Sequence, residues 1–284
     1  LFVGGTFVDA VDGSTIEVRD PHDGSLLAEI AAARAADVDR AVRAAAASFD
    51  DWRLTPAADR GRLLLRLADA IEADAEALAL LETRDTGHPL RDTRGLDVPR
   101  TAATFRYFGG MADKYQGTVV PVERGFLDYV VREPLGVVGQ IIPWNFPVMF
   151  TSWKMGPALA AGNTVVLKPS ELTPLSALRV AELVADVGFP AGVVNVVPGY
   201  GRLAGQRILD HPDIAKVSFT GSTDIGRRVV TSSAASLKRV HLELGGKGAN
   251  VVFPDADLAA AVAGTAFGIF GNDGAGTPEI HEFN

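Results

Sequence analysis

Between Val137 and Leu244 the chain alternates short, nearly unbroken apolar runs with longer stretches whose apolar positions recur every three or four residues. The runs at 137–142, 164–167, 193–197, 216–219 and 240–244 predict β-strands, and the stretches at 148–161, 174–187, 202–209 and 225–235 predict helices. In the second helix Leu175, Leu178, Ala181, Val184 and Val187 repeat every three residues. Thr173 stands where an N-cap belongs, with Pro174 at the first position and Gly188 at the end. Strands that are apolar throughout are those covered by helices on both faces. The predicted fold class is therefore α/β, a Rossmann-like doubly wound parallel sheet.

The pattern before residue 137 differs. Residues 1–31 are short strand-like pieces with turn signals at Asp12-Gly13 and Asp23-Gly24. From 35 to about 87 the spacing turns helical, and Leu63, Leu67, Ile71, Leu78 and Leu81 line one face of a long helix. Residues 92–115 predict another. Phe126-Leu127-Asp128-Tyr129-Val130-Val131-Arg132 is aromatic and β-branched, so 116–134 predicts an extended β-arm that lies on its own domain or pairs with another subunit. Past 244, residues 250–253 and 257–271 predict one more strand and one more helix. Residues 272–284 have no packing pattern.

Composition narrows the function classes. The 284 residues are 47% apolar, and 27 basic against 35 acidic residues give a net charge of -8, which argues against a nucleic-acid surface. The most apolar stretch, 135–150, is interrupted by Gly136, Gly139, Gln140, Pro143, Asn145 and Pro147, so no membrane span is expected. The beginning carries neither a charged leader nor an initiator Met. A natural start upstream and a cytoplasmic location are the expectations. There is no cysteine, which excludes disulfides and thiolate metal ligands; no metal site is expected.

An open parallel sheet binds ligands beyond the C-terminal ends of its strands. Here Pro143-Trp144-Asn145, Lys168-Pro169-Ser170-Glu171, Gly199-Tyr200-Gly201, Thr220-Gly221-Ser222 and Gly245-Gly246 all follow predicted strands. Lys168 and Glu171 together suit the hydroxyls of a ribose, as donor and acceptor, or form a plain ion pair. The segment from Gly221 to Gly226 opens a helix whose amides favour a pyrophosphate, although the spacing is not G-x-G-x-x-G and helix capping by Ser222 or Thr223 serves equally. Glu243, just before two glycines, is a candidate general base if burial raises its pKa, or a salt-bridge partner of Lys247 or an arginine. Asn145, in a turn walled by Trp144 and Phe146, is a candidate oxyanion donor or a helix cap.

Glu243-Leu244-Gly245-Gly246-Lys247, Ile142-Pro143-Trp144-Asn145, Lys168-Pro169-Ser170-Glu171 and Phe219-Thr220-Gly221-Ser222, in this order, resemble the aldehyde dehydrogenase superfamily. The likeness runs from about Phe2 to Asn272, and covers about the N-terminal half of a typical member. It implies NAD-dependent oxidation of an aldehyde to its acid. Asn145 and Glu243 would be the catalytic residues. Ile142, Trp144, Lys168, Glu171, Phe219, Gly221, Ser222, Leu244 and Gly245 would surround the cofactor. Glu171 favours NAD over NADP, because it would repel a 2′-phosphate. The resemblance also implies an NAD-binding domain at 1–115 and 135–246, an oligomerisation β-arm at 116–134 serving a homo-oligomer, and a stub of the catalytic domain at 247–284.

The family's nucleophile departs from this pattern. The family's Gly-Asn-x-Gly-Gln-x-Cys corresponds to Gly271-Asn272-Asp273-Gly274-Ala275-Gly276-Thr277, with Thr277 at or beside the cysteine's place. A thiol is partly thiolate at neutral pH and strongly nucleophilic; an alkyl hydroxyl is not. The expectation is a truncated member that does not itself turn over aldehydes. The alternative is a non-catalytic module that binds NAD or pairs with another subunit. A generic Rossmann dehydrogenase is disfavoured by the missing glycine fingerprint and by the Trp144-Asn145 turn.

Overall fold

The computed structural model describes residues 1–246 and 248–271. The chain opens with β1 (Phe2–Val3), β2 (Thr6–Phe7), β3 (Thr15–Arg19) and β4 (Leu26–Ala31). Four helices follow: α1 (Ala35–Leu54), α2 (Ala57–Ala73), α3 (Ala75–Thr86) and the single turn α4 (Leu90–Asp92). A π-helical turn at Thr93–Asp97 then leads into α5 (Val98–Met111). The helical stretch read over 35–87 is thus three helices, and the long helix expected from Leu63 to Leu81 is two. The first break falls at Thr55-Pro56, because Pro56 has no N–H to donate. The second falls at Asp74, which ends α2 and begins α3.

The predicted arm is a separate antiparallel hairpin of β5 (Thr118–Val120) and β6 (Asp128–Val130), pairing Thr118 with Val130 and Val120 with Asp128. The alternating part then begins: β7 (Val137–Ile141), α6 (Pro147–Ala160), β8 (Thr164–Lys168), α7 (Leu175–Asp186) and β9 (Val194–Val196). It continues through a π turn at Gly201–Gly205, α8 (Gln206–Asp210), β10 (Ile214–Gly221), α9 (Thr223–Ala234) and β11 (Arg239–Leu244). The helix α10 (Leu258–Phe270) follows, with Asp257 Oδ1 accepting from the amides of Ala259 and Ala260.

One seven-stranded sheet has the order β11-β10-β7-β8-β9-β1-β2. The pairs from β11 to β9 are all parallel, whereas β1 runs antiparallel to β9 and to β2, so the N-terminal hairpin adds an antiparallel edge to the doubly wound sheet. Alternate strand residues feed two cores. Val165, Leu167, Val194 and Val196 pack with apolar residues of α2, α5, α6 and α7. Val166, Val197, Val217 and Phe219 pack with α1, α8 and α9.

Two expectations are corrected. β11 is not covered on both faces: Arg239 and His241 are exposed, because no described helix lies over its α6 side. Residues 250–253 form no strand, since none of the described residues offers their backbone a ladder partner.

Candidate functional site

Because the five central strands are parallel, the loops after β7, β8, β9, β10 and β11 emerge on one edge. The chain winds outward from β7 through β8 to β9, then returns to place β10 on the other flank of β7. That reversal is a topological switch point, and the crevice outside it is where an open α/β sheet takes its ligand.

The turn after β7 lies beside that crevice. Ile142 is buried and its N–H donates to Lys168 O at 3.1 Å, which extends the ladder by one residue. Trp144 is half exposed, while Asn145 is buried. α6 starts at Pro147, with Phe146 in the N-cap position and no side-chain cap, so Asn145 does not fill the capping role. Thr173 caps nothing either: Pro174 takes the N-cap position of α7, and the Thr173 hydroxyl donates instead to Trp144 O at 3.1 Å, tying the loop after β8 to the turn after β7.

At the end of β8 the Lys168 ammonium donates to Pro169 O at 2.8 Å and to Glu171 Oε2 at 3.2 Å. The pair is not a surface ion pair, because the Lys168 side chain is only 3% exposed. Burial pulls the Lys168 pKa down, and the charge and hydrogen bond of Glu171 oppose that pull. At the end of β10, Gly221 lies against the Phe219 ring, where a Cβ would come within 2.6 Å. Ser222 follows as the N-cap of α9, its Oγ accepting from Ile225 N at 3.4 Å. Residue 226 must also be small: a Cβ there would meet Leu244 Cδ2 at 2.6 Å, which keeps the first turn of α9 close to the end of β11. Amides at a helix start and a close backbone approach are the features a diphosphate requires.

Glu243 was expected to be desolvated; instead 63% of its side chain is exposed. The cause is the bare face of β11 described above. Among the described residues its ion-pair partner is His241, with Nε2 at 3.3 Å from Glu243 Oε1, and no arginine; Lys247 lies outside the described residues. A polar line runs from that pair across the sheet. His241 Nδ1 is 3.4 Å from Ser218 Oγ, which accepts from Lys154 Nζ at 3.0 Å, and Lys154 O accepts from Gln140 Nε2 at 2.7 Å. Burial pushes the Lys154 pKa down to about 8, against the favourable charge of Glu243. Sequence reasoning missed Gln140, Lys154, Ser218 and His241. The available signal was period two: Lys216, Ser218 and Thr220 on β10, and Arg239, His241 and Glu243 on β11, put polar groups on one sheet face.

A groove of about 1870 Å³ runs along this face, lined by Trp144, Asn145, Lys154, Gly221, Ser222, His241, Glu243, Leu244 and Gly245 among others. Lys168 and Glu171 lie outside it, at the end of β8, and Ile142 and Phe219 are buried beneath the edge. Thr277 and its neighbours from Asn272 on lie outside the described residues.

Comparison with known proteins places this geometry. A family model described as the aldehyde dehydrogenase family matches residues 7–277. The mitochondrial aldehyde dehydrogenase of Homo sapiens is 48% identical over 278 residues, covering 96% of this chain and 54% of that protein. PnpE from Pseudomonas sp. WBC-3 is 65% identical with a TM-score of 0.97, covering 99% of this chain and 57% of that one. A PnpE structure in complex with nicotinamide adenine dinucleotide is 66% identical with a TM-score of 0.95, covering 96% of this chain and 56% of that one. The chain thus spans little more than half the length of the relatives it matches.

Proposed function

The chain belongs to the aldehyde dehydrogenase family, and from that premise we propose that it carries the NAD-binding part of an aldehyde-oxidising site without completing the reaction itself. The observation that carries this reading is the edge at the switch point, where the Asn145 turn, the Lys168–Glu171 pair and the start of α9 lie at the ends of neighbouring parallel strands. We assign residues 1–115 and 135–246 to the cofactor-binding unit, 116–134 to an oligomerisation arm and 247–284 to a stub of the catalytic domain.

The residues fit the group. Lys168 and Glu171 hold a donor and an acceptor 3.2 Å apart, matched to the adenosine ribose hydroxyls. The α9 start and Ser222, beside Gly221, suit the diphosphate, and Trp144, Ile142, Phe219, Leu244 and Gly245 border the path between. Glu171 excludes a 2′-phosphate by like charge, which favours NAD over NADP. Bound NAD supplies the hydride acceptor. In a completed site Asn145 would offer its amide to the oxygen that gains charge when an aldehyde carbonyl is attacked. Glu243 would take the proton of the attacking nucleophile or water, and its exposure in the groove leaves it reachable.

What the chain lacks is a thiol. The hydroxyl of Thr277 is no equivalent, and loss of an essential nucleophile costs several orders of magnitude in rate. Titration calorimetry with NAD, together with NADH absorbance in the presence of a panel of aldehydes, tests the reading. Binding without turnover is expected; clear turnover by the purified chain overturns it. A second reading, a pairing module, draws on the exposed apolar side chains of the arm, Phe126, Leu127 and Tyr129.

A further inference from the structure

Two acids outside every edge motif are fully buried on α3, Glu82 and Asp85. Ionisable side chains go inside only where something engages them. Here each engages the first turn of a helix that follows a strand end, and Glu82 also reaches Ser176 of α7. Glu82 Oε1 accepts from Val148 N of α6 at 3.2 Å, and Asp85 Oδ2 accepts from Leu175 N of α7 at 2.8 Å. The first amides of a helix have no partner within it, and neither Phe146 nor Pro174, the N-cap residues of α6 and α7, supplies a side-chain cap. The acids of α3 do that work from a distance in sequence of 66 and 90 residues.

The helices they hold begin immediately after two of the edge loops. α6 follows the Trp144-Asn145-Phe146 turn, and α7 follows the loop carrying Lys168 and Glu171. Beyond α3, the buried His88 sits with Nδ1 2.9 Å from Asp97 Oδ2 and its ring 5.2 Å from that of Phe146, so the same region touches the turn a second time. Glu82, His88 and Asp97 place ligand atoms within 4.8 Å of one another, but the His88–Asp97 contact and the Val148 amide already engage this set.

We infer that Glu82 and Asp85 are positioning residues, Glu82 bracing the turn that carries Asn145 and Asp85 bracing the loop that carries Lys168 and Glu171. One helix behind the sheet then sets both halves of the edge. The inference rests on the reading of that edge as a dinucleotide site. Burial pushes the Glu82 pKa up to about 8, against hydrogen bonds from Ser176 and the Val148 amide and with the charges of Asp97 and Asp85 adding to it; burial pushes Asp85 up to about 7, against the amides of Leu175 and Ser176. A neutral carboxyl still accepts an amide hydrogen through its carbonyl oxygen, so protonation leaves the brace in place.

The test uses the full chain and two kinds of variant. Glu82→Met and Asp85→Leu keep bulk and remove the acceptor, whereas Glu82→Gln and Asp85→Asn keep an acceptor. Hydrogen exchange is measured by mass spectrometry, and the Kd for NAD by calorimetry. Glu82→Met is expected to speed exchange at the start of α6 by about tenfold, and Asp85→Leu to do so at the start of α7. Both weaken NAD binding by at least about threefold, while the Gln and Asn variants stay near the parent. Parent-like exchange at both helix starts in the acceptor-less variants overturns the brace, as does a uniform rise across the helical layer. Failure of the parent to bind NAD at millimolar concentration sinks the dinucleotide reading instead, and the exchange measurement still decides the brace.

Discussion

At the scale of single residues, the most exposed commitment is Glu171. Its carboxylate accepts from Lys168 at 3.2 Å and remains partly open to solvent; on the proposed reading it meets a free ribose hydroxyl and repels a phosphate. Glu171→Gln removes the repulsion while keeping an acceptor, so the preference for NAD over NADP is expected to shrink by about tenfold, or about 1.4 kcal/mol, in paired calorimetric titrations. An unchanged preference would move 2′ recognition elsewhere. Glu82 governs a pH effect of a definite sign. Its folded pKa, about 8, is above its ordinary value of 4.5, so the folded state binds the proton more tightly than the unfolded chain does. The stability this contributes is complete below about pH 4.5 and is lost as pH rises through about 8. Glu82→Gln cannot lose a proton. Relative to the parent, the variant should gain stability between about pH 5 and pH 8, on the order of a few kcal/mol, in urea denaturation at each pH. Lys154, whose pKa is depressed to about 8, acts with the opposite sign, so the comparison is the variant-minus-parent difference rather than the parent's own curve.

At the scale of elements, α9 separates a structural from a binding role in one side chain. Ser222 Oγ caps the helix at 3.4 Å, a long and exposed bond, so Ser222→Ala should cost at most about 1 kcal/mol of stability by denaturant titration. If the same hydroxyl meets the diphosphate, NAD affinity falls by more than that loss of stability explains. Matching small losses in both would reduce Ser222 to a cap. The strands and helices after residue 137 were legible because each strand is an apolar run and each helix keeps its period, signals that survive without knowledge of the partner. What failed to read needed tertiary context. Asp74 breaks the apolar stripe from Leu63 to Leu81 that periodicity alone joins into one helix. Residues 250–253 carry strand-like side chains, but a strand exists only where another backbone accepts its hydrogen bonds. Among the site residues, Asn145, Lys168, Glu171 and Ser222 announced themselves at strand ends. Lys154, Ser218 and His241 did not, because their connection is made across three elements. The braces Glu82 and Asp85 lay inside a stretch whose apolar stripe claimed all the attention.

At the scale of the whole molecule, two apolar surfaces lie open on the described chain and compete to explain any association. One is the hairpin arm, with Val119, Phe126, Leu127 and Tyr129 exposed. The other is α10 and the segment before it, where Phe253, Leu258, Val262, Phe267 and Phe270 are exposed and no residue of the helix is buried. Patches of this kind mark interaction sites or aggregation liabilities. They differ in form. The hairpin projects two short strands with free outer edges, which can pair with a second copy in a closed, symmetric way. α10 offers only an apolar cylinder, which associates without a fixed register. A specific dimer is therefore expected to depend on the arm. Phe126→Ser with Leu127→Ser should weaken dimerisation at least about tenfold, near 1.4 kcal/mol, by sedimentation velocity. NAD affinity should hold, since neither residue lines the groove. Polar replacement of Val262 and Phe267 on α10 should reduce only concentration-dependent, open-ended aggregation. If instead the α10 changes abolish a discrete dimer and the arm changes do not, the arm is not the pairing element, and the assembly is built on the apolar face that follows the Glu243 strand.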